Sequence, residues 1–464
     1  MPFSIIETLK EYRGIPLCFL GLGIDRAWRA SIFYFGAFPS IGIADYYVFG
    51  SALAVTGLII ALLSSKIPSL HSVKGVFPAS CLLMTLGSLC VVLACYIVPF
   101  YPLKLFGLVA IGVGDGLLYL LWAEFFGQLD SIKVATYFAL ALLFGEFFKL
   151  VLMGLEPPYH SIIAISFPLI SFLCIQKSFA VSPEITIGKL KKKVPLDIRN
   201  YPWKPVLLIA LCFFIAAFDA NQMRPLNIGN ALGAILVPLV ILIALSANQK
   251  LFRIQSLNQI LFPLFIAGFL LLLPIDNLSL EFESFRNETA YTMLFMLVLI
   301  VLSSVSRHFE INAIALNGME RFVRFLFELS GFLLSTMLAD YASPETTSLV
   351  YSVFEILLIA SIFIIFFTKR GLSAKWDFEL QSNSEVTKGF AEAQRYKELA
   401  ETYNLSPREQ EVFVLLLQGY STAQIAEMLY AALGTIKAHV NHIYGKFNVH
   451  SKAELTELLN NIYK

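Results

Sequence analysis

Charge is what this chain has least of. Asp, Glu, Lys and Arg make up 14% of its 464 residues, where a soluble globular protein carries roughly a quarter. With 57% hydrophobic residues beside them, there is too little charge to clothe a water-facing exterior, and most of the chain must lie in lipid. Other absences narrow the function. The six His are scattered without ligand spacing, and the six Cys form no C-x-x-C pair, so they read as buried spectator thiols. No glycine loop precedes a Lys-Ser/Thr to cradle phosphate. A catalytic site, a metal and a cofactor are therefore not expected. No soluble stretch is long enough for a phospho-receiver domain, and no cleavable signal peptide is expected, because charge interrupts the first apolar stretch.

What is present are apolar runs of membrane-crossing length, for which about 20 residues are needed. Twelve are expected, near 14–38, 43–64, 76–98, 103–126, 134–155, 160–177, 204–223, 229–247, 258–274, 289–306, 322–341 and 347–368. The pattern is most broken around 306–330, where Arg307, Glu310, Glu320, Arg321, Arg324 and Glu328 interrupt it. Lys and Arg gather in alternate loops, above all in the basic segment 178–203, whereas the loop with Asp276, Glu281, Glu283 and Glu288 is acidic. That asymmetry puts both termini of a multi-pass membrane protein in the cytoplasm.

Ionisable residues inside spans are costly and by default face a partner or a cavity. The first span carries Asp25, Arg26 and Arg29, the fourth Asp115, the fifth Glu146 and Lys149, and the seventh ends at Asp219. Asp25, Arg26, Arg29, Asp115 and Asp219 are the candidate ligand-binding residues. An arginine fork there suits a small organic acid or another polar metabolite, and mutual pairing that fixes helix packing is the competing reading. Twelve spans split six and six by a basic loop resemble the major facilitator superfamily in layout. The loop between spans two and three lacks that family's Asp-Arg pair, which speaks against active transport.

After a linker with an expected helix (369–403), the chain changes character. Ser406-x-x-Glu409, Ser421-x-x-Gln424 and Ser451-x-x-Glu454 have the form of capping boxes, and each precedes an apolar stripe at helical spacing. The stripes are Val412, Phe413, Leu416 and Leu417; Ile425, Ala426 and Leu429; Leu455, Leu458, Leu459 and Ile462. Between the last two, a third helix carries Ile436, Val440, Ile443 and Phe447. Short helices joined by a tight turn suggest a helix-turn-helix. Leu405 to Val412, Gly419-Tyr-Ser, Gln424 to Leu429, Gly434 to His439 and Ile443 to Ser451 resemble the LuxR-type helix-turn-helix regulators. The resemblance runs from Leu405 to Leu459 and implies a four-helix DNA-binding domain over 404–464. Ala431 and Ala432 depart from it, the latter where a Ser usually caps the recognition helix.

On that third helix Lys437, Ala438 and Asn441 lie opposite the apolar stripe with His442 on the flank, while Thr435, His439 and Lys446 are placed for phosphates. Residues 404–464 hold five basic and five acidic side chains. One copy should thus bind DNA weakly, and self-association on paired half-sites is expected. The sequence reads as an all-α chain, twelve spans (1–368) and a DNA-binding tail. The leading expectation is a membrane-anchored one-component transcription regulator that senses a metabolite. A transporter with a regulatory tail is the alternative, and a tail used only for protein contact is a third reading.

Overall fold

The computed structural model describes residues 16–33, 41–181 except 68, 98 and 157–158, 201, 203–219, 228–247, 279–341 except 309–310, 350, 353 and most of 403–455. The expected spans 258–274 and 347–368, the basic loop 182–200 and the linker helix lie outside the described residues or almost wholly so. The chain divides into two compact units, Met1–Phe378 and Glu379–Lys464.

Among its described residues the first unit is helical. A short turn, Leu17–Leu20, leads into α1 (Gly21–Phe33), followed by α2 (Ile43–Leu63), α3 (Val76–Tyr96), α4 (Tyr101–Phe126), α5 (Ser131–Met153) and α6 (Tyr159–Val181). Then come α7 (Trp203–Asp219), α8 (Ile228–Ala247), α9 (Leu280–His308) and α10 (Ala313–Tyr341). Seven of these, α2 to α6, α8 and α9, are long and apolar enough to cross a membrane. Sequence signals set their ends where they can be read. Asp130 accepts from the N–H of Ile132 at the start of α5, and Pro102 occupies the first turn of α4, where its missing N–H costs nothing.

The burial pattern is the reverse of a soluble bundle. Leu82, Leu86 and Leu89 of α3 and Leu232, Leu236, Leu239, Val240 and Ile243 of α8 are exposed. Asp25, Asp115, Glu146, Lys149, Glu320 and Arg324 are buried. An apolar exterior around buried ionisable groups is the pattern that lipid, rather than water, favours as solvent.

Helix pairing repeats along the chain. α1 packs on α5 as α7 packs on α10; α2 packs on α4 as α8 packs on α9. Exchanging the two sets also turns the α2–α10 contact into the α8–α5 contact, which is present too. Where helices cross closest, glycine is required. A Cβ on Gly23 of α1 would stand 1.8 Å from the carbonyl oxygen of Ala141, and one on Gly318 of α10 would stand 2.4 Å from that of Gly57 on α2.

Two helices begin earlier than the apolar pattern suggests. α9 starts at Leu280 rather than near 289, so Glu281, Glu283 and Glu288 belong to a helix and not to a loop. α10 starts at Ala313 rather than 322 and carries Glu320, Arg321 and Arg324 inside the bundle. Hydropathy is blind to charge that is neutralised across helices.

In the second unit, α11 (Pro407–Leu417) and α12 (Leu433–Phe447) are joined through a segment that is helical at Ile425 and Ala426. Their core comprises Leu405, Val412, Phe413, Leu416, Ile425, Ala426, Ile436, Val440, Ile443, Phe447, Val449 and Leu455. The described stripe residues expected from the sequence are all there or packed against it. The Phe447 ring stacks between Tyr403 (4.2 Å) and Phe413 (5.1 Å). Ala431, Ala432, Ser451, Leu458, Leu459 and Ile462 lie outside the described residues.

Candidate functional site

The candidate nucleic-acid interface is the outer face of α12. Burial of Ile436, Val440, Ile443 and Phe447 fixes the roll of the helix. Thr435, Lys437, Ala438, Asn441, His442 and Lys446 are consequently all exposed. Gly434, Ala438, Asn441 and Gly445 occupy the centre of that face, opposite the core. Lys437 borders it on one side, and Thr435, His442 and Lys446 border it on the other.

The ends of α11 and α12 are held by specific bonds. The N–H of Ser406 donates to Glu409 Oε2 at 2.7 Å and the Glu409 N–H to Ser406 Oγ at 3.4 Å, closing the first capping box. In the region of the third box, Glu454 accepts from the N–H of His450 at 2.8 Å. Arg408 donates to the carbonyl of Leu429 at 3.0 Å and so ties α11 to the end of the intervening segment. α12 stops at Asn448, whose φ of 53° is left-handed. The Val449 N–H reaches Tyr444 O (2.9 Å) and the Asn448 N–H reaches Gly445 O (3.2 Å). That is a Schellman closure with Asn in the position glycine usually takes.

Glu409 does more than cap. Lys446 Nζ lies 2.7 Å from Oε2, and His442 Nδ1 lies 3.7 Å from Oε1. The Lys446 ammonium, helped by the Ser406 bonds, holds the Glu409 carboxyl down to about 2. Lys446, expected as a phosphate contact, is thus engaged by α11. The sequence signal for this was Glu409 itself, since a capping glutamate has a second oxygen to offer, but only the fold brings Lys446 to it.

In the first unit, three of the candidate ligand-binding residues meet and Arg26 does not join them. Arg29 Nη2 lies 2.9 Å from Asp115 Oδ1 and 3.1 Å from Asp25 Oδ2. Arg26 turns instead to Glu288 (2.8 Å), Thr292 (2.8 Å) and Glu146 (3.9 Å), and Glu146 also binds Lys149 at 2.7 Å. The side chain of Asp219, at the end of α7, is outside the described set. A third group was not foreseen as a site. Glu320 pairs with Arg324 Nε at 2.9 Å, Tyr46 donates to Glu328 at 3.0 Å, and Arg321 lies over the Tyr119 ring at 4.1 Å. Among the described residues no group of His, Cys, Asp and Glu is arranged to hold a metal ion.

A two-helix core with an exposed second helix is the arrangement that a DNA-binding helix-turn-helix requires. Residues 403–459 match the luxR family of bacterial regulatory proteins. Over 53 residues the chain is 45% identical to the oxygen regulatory protein NreC of Staphylococcus carnosus, a match covering 11% of this chain and 24% of that protein. It is 43% identical over 53 residues, with the same coverage, to NreC of Staphylococcus aureus strain JH9. Over 57 residues it is 47% identical to a protein of Aeromonas salmonicida named as an HTH-type transcriptional regulator in the exeN 3′ region (12% and 29%). The chain spans only 24–29% of the length of these relatives. The C-terminal unit therefore carries a LuxR-type DNA-binding domain of a transcription regulator.

Proposed function

We propose that the chain is a membrane-anchored one-component transcription regulator: the helical membrane unit binds a small polar or anionic metabolite, and the C-terminal domain answers by binding DNA. The observation that carries this is one chain holding both a luxR-family domain and seven helices fit to cross a membrane. Lys437 and Asn441 reach base edges in the major groove, with Ala438 against a base methyl group. Thr435, His439 and Lys446 meet phosphates, Lys446 with Glu409 as its second partner, and His442 lies on the flank. Two copies on paired half-sites supply the affinity that a neutral domain lacks.

The repeated pairing of α1, α2, α4 and α5 by α7, α8, α9 and α10 supports a six-plus-six, major-facilitator-like layout for residues 1–368. Residues 369–403 then link that unit to the domain at 404–464. Both termini face the cytoplasm from the bacterial inner membrane, an orientation that the distribution of Lys and Arg among the loops supports. Asp25, Arg26, Arg29, Asp115 and Asp219 contribute to the metabolite site. The same duplicated packing also suits a transporter with a regulatory tail, and substrate uptake into vesicles is the result that would favour it.

Mapping of DNA crosslinked to the wild type and to Lys437→Ala tests the regulator. Enriched sites that fade in the variant are expected, because each good base contact contributes about 1–3 kcal/mol. No enrichment in either protein overturns the proposal.

A further inference from the structure

α10 carries an unusual cation, Arg321. Arg321 is only 8% exposed, yet its Nε and Nη2 find no acceptor among the described residues. A buried guanidinium without acceptors is among the costliest groups a fold can hold. Its neighbours do not relieve it. Glu320 precedes it directly and points to another side of the helix, where Arg324 binds it. Glu328, two turns on, takes the Tyr46 hydroxyl.

The two free donors are a particular pair. Nε–H and the Nη2–H beside it form one edge of the guanidinium, two parallel donors spaced for the two oxygens of a carboxylate. The Tyr119 ring covers a face of the same group at 4.1 Å, and the in-plane edge of Nε and Nη2 is the one left without an acceptor among the described residues. Tyr119 is itself positioned by Asn317, one turn before Arg321, through a 3.4 Å hydrogen bond. Tyr119 and Asp115 stand one turn apart on α4, so the Arg29 group and Arg321 flank the same stretch of that helix.

We propose that Arg321 is the anchor for the carboxylate of a small organic acid, held side-on by Nε and Nη2 and backed by Tyr119. This rests on the membrane unit being a ligand-binding unit and adds a point of charge recognition on α10 to the residues of α1 and α4. α10 packs on α2 and α4 and also on α7, and it crosses α2 at Gly318, one turn from Arg321. A carboxylate bound there loads the helix that joins the two repeats.

The test is thermal unfolding of the full chain in nanodiscs, titrated with acetate, benzoate and succinate, with benzamide as the neutral control. At least one carboxylate should raise the unfolding temperature in a saturable way, and benzamide should not. Arg321→Lys keeps the charge but loses the paired edge, and should weaken the midpoint about tenfold to a hundredfold. Arg321→Met should abolish the response, and both variants should remain monodisperse with an unfolding transition of their own. A carboxylate whose midpoint is unchanged by Arg321→Lys overturns the anchor while leaving a ligand-binding membrane unit intact. Failure of all three acids to bind the wild type overturns the carboxylate assignment. The DNA map fails or succeeds independently of either.

Discussion

Replacing Glu409 with Gln separates two roles held by one side chain. Gln can still accept the Ser406 N–H, so the cap survives while the ionic partner of Lys446 is lost. A carboxyl held at about 2 instead of its ordinary 4.5 corresponds to about 3 kcal/mol at most. Lys446 is 36% exposed at its side chain, so water screens the pair, and about 1–2 kcal/mol is the reasonable yield. The sign follows from the direction of the shift: the contribution is complete above about pH 4.5 and disappears as pH falls through about 2. Hydrogen exchange of the α12 amides in the full chain reads this as a local opening free energy. Glu409→Gln should speed exchange roughly tenfold at pH 7, and the difference should shrink as pH approaches 2. On a Lys446→Met background the same substitution should do little, which isolates the coupling. Equal exchange rates at pH 7, or a difference that persists unchanged at low pH, would refute the role given to this pair.

Other consequences are as direct. Asn448→Gly should stabilise the C-terminal domain slightly and Asn448→Val should cost about 1–2 kcal/mol, read by the same exchange experiment, because a β-branched residue is strained at positive φ. Gly318→Val should force α10 off α2 and abolish monodisperse protein on size exclusion, whereas Gly434→Ala, where an added Cβ meets nothing within 4 Å, should leave folding untouched. Phe447→Ala removes the ring between Tyr403 and Phe413 and should cost about 3–5 kcal/mol. Loss of the cooperative exchange protection of α11 and α12 would report it.

The DNA-binding unit was legible because its signals are local. Ser406, Pro407 and Glu409 announce a helix start by their own chemistry. The spacing of Ile436, Val440, Ile443 and Phe447 fixes which face of α12 is free. Nothing local told that Lys446 would be drawn to Glu409, 37 residues away. In the membrane unit the apolar runs gave away most helices, but their beginnings were hidden wherever charge enters the bundle. Glu288 looked like a loop residue until Arg26 is seen to pair with it. Arg321 looked like a break in a span, and its meaning depends on Tyr119, 202 residues earlier in the chain. Pairing across helices has no period, so hydropathy cannot report it.

On the proposed function, the DNA-binding domain should work while tethered to a membrane. Crosslinking cells, separating the membrane fraction and sequencing the DNA that copurifies with the chain tests it most directly. Specific sites recovered from the membrane fraction, and lost with Lys437→Ala, are what the account predicts. Sites found only with soluble protein, or none at all, would contradict it.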